Sequence, residues 1–271
     1  MTRITLTHRF KVLVMAFTLS GLGLNLGMGL AHAQEAQPAG PPPFGMSHDP
    51  TLTAAQAAAD AGDWPHAITL YEQAANQGLR GGSEQLAHLY LEGAPGLPPD
   101  YAQAMHWATK AVQAGDSRGL LYLGKIWMDG LGVQADLNKA KDLFTQADAG
   151  GDLKAPRYLG LLAARQGHDD DAARWYAKGA QRGDITSQYL LGQAYEQGKG
   201  LPQDAAAAMR WYQAAASRGD LIASDGMVGM AGLYERGEGV APDRARALQL
   251  YRQAASLGNA TALTALHRLG Q

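Results

Sequence analysis

Between residues 51 and 271 small and large apolar positions recur at helical spacing, and that pattern is itself repeated along the chain. A glycine marks the phase: Gly78, Gly115, Gly151, Gly183, Gly219 and Gly258 stand 37, 36, 32, 36 and 39 residues apart. Eleven residues before each stands an alanine (Ala67, Ala104, Ala140, Ala172, Ala208, Ala247). Eight before stands a large apolar residue (Leu70, Trp107, Leu143, Trp175, Trp211, Leu250), and four before a small one (Ala74, Ala111, Ala147, Gly179, Ala215, Ala254). Offsets of three, four and seven share one stripe of an α-helix. Each glycine is therefore expected to end a helix whose small residues admit a neighbour and whose large residue fills the core.

Upstream lies a second pattern, seen as LGKIWMDGLGVQAD at 123–136 and LGQAYEQGKGLPQD at 191–204, with divergent copies at 86–100 and 230–243. It reads as a helix, a glycine turn and an acidic cap. Asp100, Asp136, Asp204 and Asp243 stand where a side-chain oxygen satisfies the free N–H groups of the next helix. Gln103, three residues after Asp100, completes one capping box. The unit is thus helix, turn, helix, repeated about six times, and residues 260–271 read as a lone first helix covering the last open face. The units around Gly62-Asp63-Trp64 and Gly167-His168 have a shorter turn without Gly-x-Gly.

These residues, with Leu-Gly, Tyr, Gly-x-Gly, Asp, Ala and Trp-Tyr at these spacings, resemble the Sel-one-like repeat, a relative of the tetratricopeptide repeat. The resemblance implies an all-α, right-handed superhelical solenoid over residues 51–271. It also implies a protein that binds other proteins as a scaffold, adaptor or regulator and is not an enzyme. Units of this kind stack because none buries its apolar stripe alone.

The N-terminus changes the picture of where the chain works. Arg3, Arg9 and Lys11 precede an uncharged stretch from Val12 to Ala33 that ends in Ala31-His32-Ala33, the small-x-small pattern of a signal peptide cleaved after Ala33. Its length approaches a membrane span, so an anchor retained in the inner membrane is the alternative. No other stretch is apolar enough to cross a bilayer. Residues 34–50 carry five prolines and read as a disordered linker. The expected location is the periplasm, with secretion the other possibility.

Without the three basic residues of the signal the mature chain holds 20 basic against 25 acidic side chains, too acidic for a nucleic-acid binder. There are no cysteines, which excludes disulfides, thiolate metal sites and cysteine nucleophiles. The sequence points to no cofactor and to a monomer.

Several motifs have ordinary readings. Gly115-Asp116-Ser117-Arg118-Gly119 matches a hydrolase nucleophile elbow, but a helix enters it where that motif needs a strand. Gly192 to Gly200 has the wrong spacing for a phosphate loop and is the repeat turn. His168-Asp169-Asp170-Asp171 offers oxygen ligands to a divalent cation, or simply starts the next helix with favourable charge. The aromatic series Trp107, Phe144, Trp175, Tyr176, Trp211, Tyr212 and Tyr251 shares its register with small residues and is read as core, not as a carbohydrate-binding ladder.

By the same resemblance the first helix of each unit lines the concave face. Stepping out from its Leu or Met gives Glu84, His88 and Glu92, then Arg118, Lys125 and Asp129, then Lys154, Arg157 and Arg165. The last two units give Tyr189, Gln193 and Glu196, and Asp225, Glu235 and Arg236. Five cations fall in the middle with carboxylates towards both ends, which fits a protein or peptide partner with an acidic segment or a terminal carboxylate. Two other functions are open: a secreted effector that binds host proteins, and a β-lactam hydrolase, as linked with cysteine-rich relatives whose disulfides this chain lacks.

Overall fold

A computed structural model describes residues 49–271 of the protein. The expected signal at 1–33 and residues 34–48 of the expected linker 34–50 lie outside the described residues, and the last two linker residues, Asp49 and Pro50, instead cap and open the first helix. Six helix pairs follow one another: α1 Pro50–Asp60 with α2 Trp64–Asn76, α3 Gly82–Glu92 with α4 Tyr101–Gln113, and α5 Ser117–Asp129 with α6 Leu137–Ala149. Then come α7 Ala155–Arg165 with α8 Asp169–Gln181, α9 Ile185–Gln197 with α10 Ala205–Ala216, and α11 Ser224–Arg236 with α12 Arg244–Ser256. The single helix α13 Ala260–Arg268 follows. No strand occurs among the described residues, and the one bridge, Ala94 to Leu97, lies in the α3–α4 turn. Each helix packs on the next in order, which makes the fold an all-α repeat solenoid.

The punctuation expected from the sequence is present. All six phased glycines have positive φ, between 71° and 93°. Asp100, Asp136, Asp204 and Asp243 each accept from backbone N–H groups in the first turn of the following helix. The capping box at Gln103 does not form. The Asp100 N–H donates instead to the Tyr90 carbonyl at 2.8 Å, so no free donor remains for the Gln103 side chain. Asp136, Asp204 and Asp243 do the same with Trp127, Tyr195 and Tyr234, which ties each glycine turn back to its own first helix.

The core holds one correction. The large residue that lies inside is generally seven before the phase glycine, not eight: Tyr71, Phe144, Tyr176, Tyr212 and Tyr251 are buried. Leu70, Leu143, Trp175 and Trp211 are only half-buried. At 100° per residue both positions lie about 50° from the centre of the alanine stripe, on opposite sides, so periodicity alone does not choose between them. The facing helix does. A Cβ on Gly124 would stand 2.3 Å from the Phe144 ring, one on Gly160 2.4 Å from Tyr176, and one on Gly192 2.6 Å from Tyr212. Gly229 of the next repeat notches the other face of Tyr212 at 2.7 Å, so this ring is clamped between two first helices. Two repeats depart from this: Leu250 is buried beside Tyr251, and Trp107 goes inside where the inner position is Ala108.

Successive first helices approach one another directly, α3 to α5, α7 to α9 and α9 to α11, whereas no pair of successive second helices comes comparably close. The closer spacing puts the odd-numbered helices on the inside of the bend. That side is the one the resemblance assigned to binding.

Candidate protein-binding face

The inner face is a ladder of ion pairs between neighbouring repeats. Near the C-terminal ends of the first helices, Glu92 pairs with Lys125, Asp129 with Arg165 at 3.1 Å, Glu196 with Arg236, and Glu235 with Arg268 at 2.7 Å. Near their N-terminal ends, Glu84 pairs with Arg118 at 3.4 Å and Arg157 with Asp184 at 3.3 Å. The cations expected to await an acidic partner are therefore already matched inside the protein, with one exception. Lys154, exposed at the start of α7, has no ion-pair partner among the described residues.

The pairs differ in how firmly they are held. Glu84 is buried, accepts from the Tyr122 hydroxyl at 2.7 Å and so fixes Arg118. Asp184 is buried as well, caps α9 through Ser187 N–H at 2.9 Å and holds Arg157, which is itself largely covered. Breaking either would leave a buried charge without a partner, a cost of several kcal/mol. Glu92 and Asp129 are 46% and 40% exposed, and exposed pairs of this kind contribute about 0–1 kcal/mol each. A carboxylate from outside can take their place. Arg165 also donates to the Met128 carbonyl at 2.8 Å, which holds its head on the groove.

Further along, Tyr212 donates to Glu196 and Tyr251 to Glu235 at 3.0 Å, so both acids bind the core tyrosines as well as the next repeat's arginine. Burial, reinforced by the Glu196 bond, raises the Tyr212 pKa well above the usual phenol value; burial and Glu235 push Tyr251 up to about 12. The Glu235 carboxyl is held below its ordinary value, chiefly by the two hydrogen bonds from Arg268. Gln193 donates to the Tyr189 hydroxyl at 2.8 Å, and the Tyr189 ring lies 5.7 Å from that of Tyr212.

Two members of the face escaped the sequence reading. Tyr158 of α7 stacks on Phe144 at 5.2 Å, with the Arg157 guanidinium 5.1 Å and Lys125 Nζ 6.0 Å from its ring. Arg268 closes the last rung. The recurring interval of 16 residues in Glu196–Tyr212 and Glu235–Tyr251 was a signal in the sequence for the second half of the ladder.

The tempting motifs resolve by packing. Ser117 opens α5 under the cap of Asp116, with a helix on the entering side. A Cβ on Gly200 would stand 2.1 Å from the Asp169 carbonyl, so the second glycine of that turn exists to let it sit on the start of α8. Asp171 is taken by Arg174, and the described residues include no group of three His, Asp or Glu side chains disposed to hold a metal.

A stack of helix pairs with a charged inner face defines the class: an α-solenoid repeat protein. The Sel1 repeat matches residues 65–79, 84–116, 117–152, 169–184, 185–220 and 224–259, and the chain belongs to that family. Among solved structures it is similar to a Sel1 repeat protein from Oxalobacter formigenes, with 27% identity and a TM-score of 0.66 over 79% of this chain and 88% of that one. A protective antigen of uropathogenic Escherichia coli displaying an SLR fold has 29% identity and a TM-score of 0.59 over 78% of this chain and 46% of that one. An uncharacterized protein of Neisseria meningitidis serogroup B is 29% identical over 143 residues, 53% of this chain and 30% of that protein. A chitin synthase regulator of Malassezia restricta is 32% identical over 35% of this chain. The chain spans 30% and 7% of these two curated relatives. The Sel1 repeat is a protein–protein interaction fold, and among the described residues no helix is long and apolar enough to cross a membrane.

Proposed function

We propose that the protein is an exported scaffold or regulator of the bacterial cell envelope that holds an acidic segment of a partner protein on the inner face of α3 to α9. The observation that carries this reading is the uneven hold on the cations. Lys154 has no ion-pair partner among the described residues, and the ion pairs of Lys125 and Arg165 are to exposed acids, so these three cations accept outside carboxylates without stranding a buried acid. Arg118 and Arg157 belong to the fold instead. Export rests on the sequence of residues 1–33, and the likeness to a protective antigen agrees with a place outside the cytoplasm.

Lys154→Glu combined with Lys125→Gln tests the reading. The variant is expected to lose capture of partner from an envelope extract while its circular dichroism stays that of the parent. Undiminished capture would refute the assignment of the face. Fractionation tests location: a cytoplasmic pool at full precursor length contradicts export.

A further inference from the structure

The imidazole of this face, His88, takes no part in the ladder. His88 stands one helical turn from Glu84 and one from Glu92 on α3. Glu84 is committed to Tyr122 and Arg118, but Glu92 holds Lys125 alone. From α5 the Tyr122 ring meets His88 edge-on at 5.9 Å and Lys125 adds its charge; from α7 Lys154 adds another. His88 thus sits between one replaceable acid and two lysines.

We propose that protonation of His88 draws Glu92 from Lys125 and leaves Lys125 and Lys154 as a joint acceptor for carboxylates, so that acidification tightens the hold on an acidic protein segment. The proton comes from solvent and no covalent bond changes. Desolvation within the groove lowers the His88 pKa below its ordinary value, against the opposing pull of Glu84 and Glu92, with the two lysines lowering it further. The exchange therefore takes place on the acid side of the usual histidine range, about 6.5. Glu84 does not follow, because it is itself buried and leaving would strand the buried Tyr122 hydroxyl and break the Arg118 pair. This inference rests on the acidic-segment reading above.

Fluorescence anisotropy of a labelled hexaglutamate, titrated with the purified protein at low salt, tests it. Binding is expected to tighten at least about fivefold between about pH 7.5 and about pH 5.5, a coupling of ordinary size. His88→Gln should bind weakly at both ends of that range and His88→Lys tightly at both. Equal tightening in His88→Gln overturns the role of His88 while leaving the docking face intact; failure of the parent to bind at any pH overturns both. A measurement without ligand gives a separate check. In histidine NMR titrations Glu92→Gln should lower the His88 pKa, and an unchanged value would show that the two never interact.

Discussion

The two halves of the inner face use the same rung, a carboxylate on one first helix and a cation on the next, to different ends. In α9–α13 the acids Glu196 and Glu235 also accept from Tyr212 and Tyr251, whose rings lie in the core, and both acids are about one fifth exposed. In α3–α7 Glu84 is held in the same way by Tyr122, but the acids at the C-terminal ends of the first helices, Glu92 and Asp129, accept from no tyrosine and are twice as exposed. A rung whose acid is tied to a core side chain is part of the fold, whereas a rung whose acid is solvated and makes no second tie is open to exchange. The charge pattern is the same, and the second tie decides its use.

The largest effect that would sharpen this contrast is loss of the clamped ring. Tyr212→Ala should cost about 3–5 kcal/mol in urea denaturation, as for other buried aromatics. Trp211→Ala, half-buried one position earlier, should cost about 1–2 kcal/mol; a reversed order would return the core to the position eight before the glycine. Next is the turn of that repeat. Gly200→Ala places a Cβ against the Asp169 carbonyl at positive φ and should cost about 3 kcal/mol, while Gly151→Ala, also at positive φ but with open space, should cost about 1–2 kcal/mol. The ladder itself gives a smaller difference. Glu196→Gln should destabilise by about 1–2 kcal/mol through the weakened tyrosine and arginine bonds, and Glu92→Gln by under about 0.5 kcal/mol. Equal costs would erase the distinction between the halves.

The smallest effect is the pH dependence from His88. Its pKa is lower in the folded protein, so below the ordinary value the unfolded chain takes up the proton first. Stability is then lost as pH falls through the usual histidine range, and the loss is complete once pH is below the folded value. His88→Gln should flatten that part of the curve in thermal melts; an unchanged slope would place the histidine in ordinary solvent.

Much of the fold was legible because it depends on local chemistry. The phased glycines needed positive φ, and the four cap aspartates needed only the free N–H groups beside them. What lay beyond local reading was decided across repeats. The choice between Trp211 and Tyr212 depends on Gly192 and Gly229, which stand on two other helices. The capping box failed because the donor at Asp100 had already found Tyr90. The candidate site was legible as a set of positions but not as a set of bonds. Arg157 and Lys125 look alike in sequence, and only the burial of Asp184 against the exposure of Glu92 separates a fixed cation from a replaceable one.

Site-specific photocross-linking in the producing cells tests the binding face most directly. A benzophenone side chain at Tyr158 on the inner face should yield a discrete adduct that Lys154→Glu abolishes, while the same group at His106, exposed on the outer helix α4, should yield none. An adduct at His106 in the absence of one at Tyr158 would contradict binding on the first-helix side.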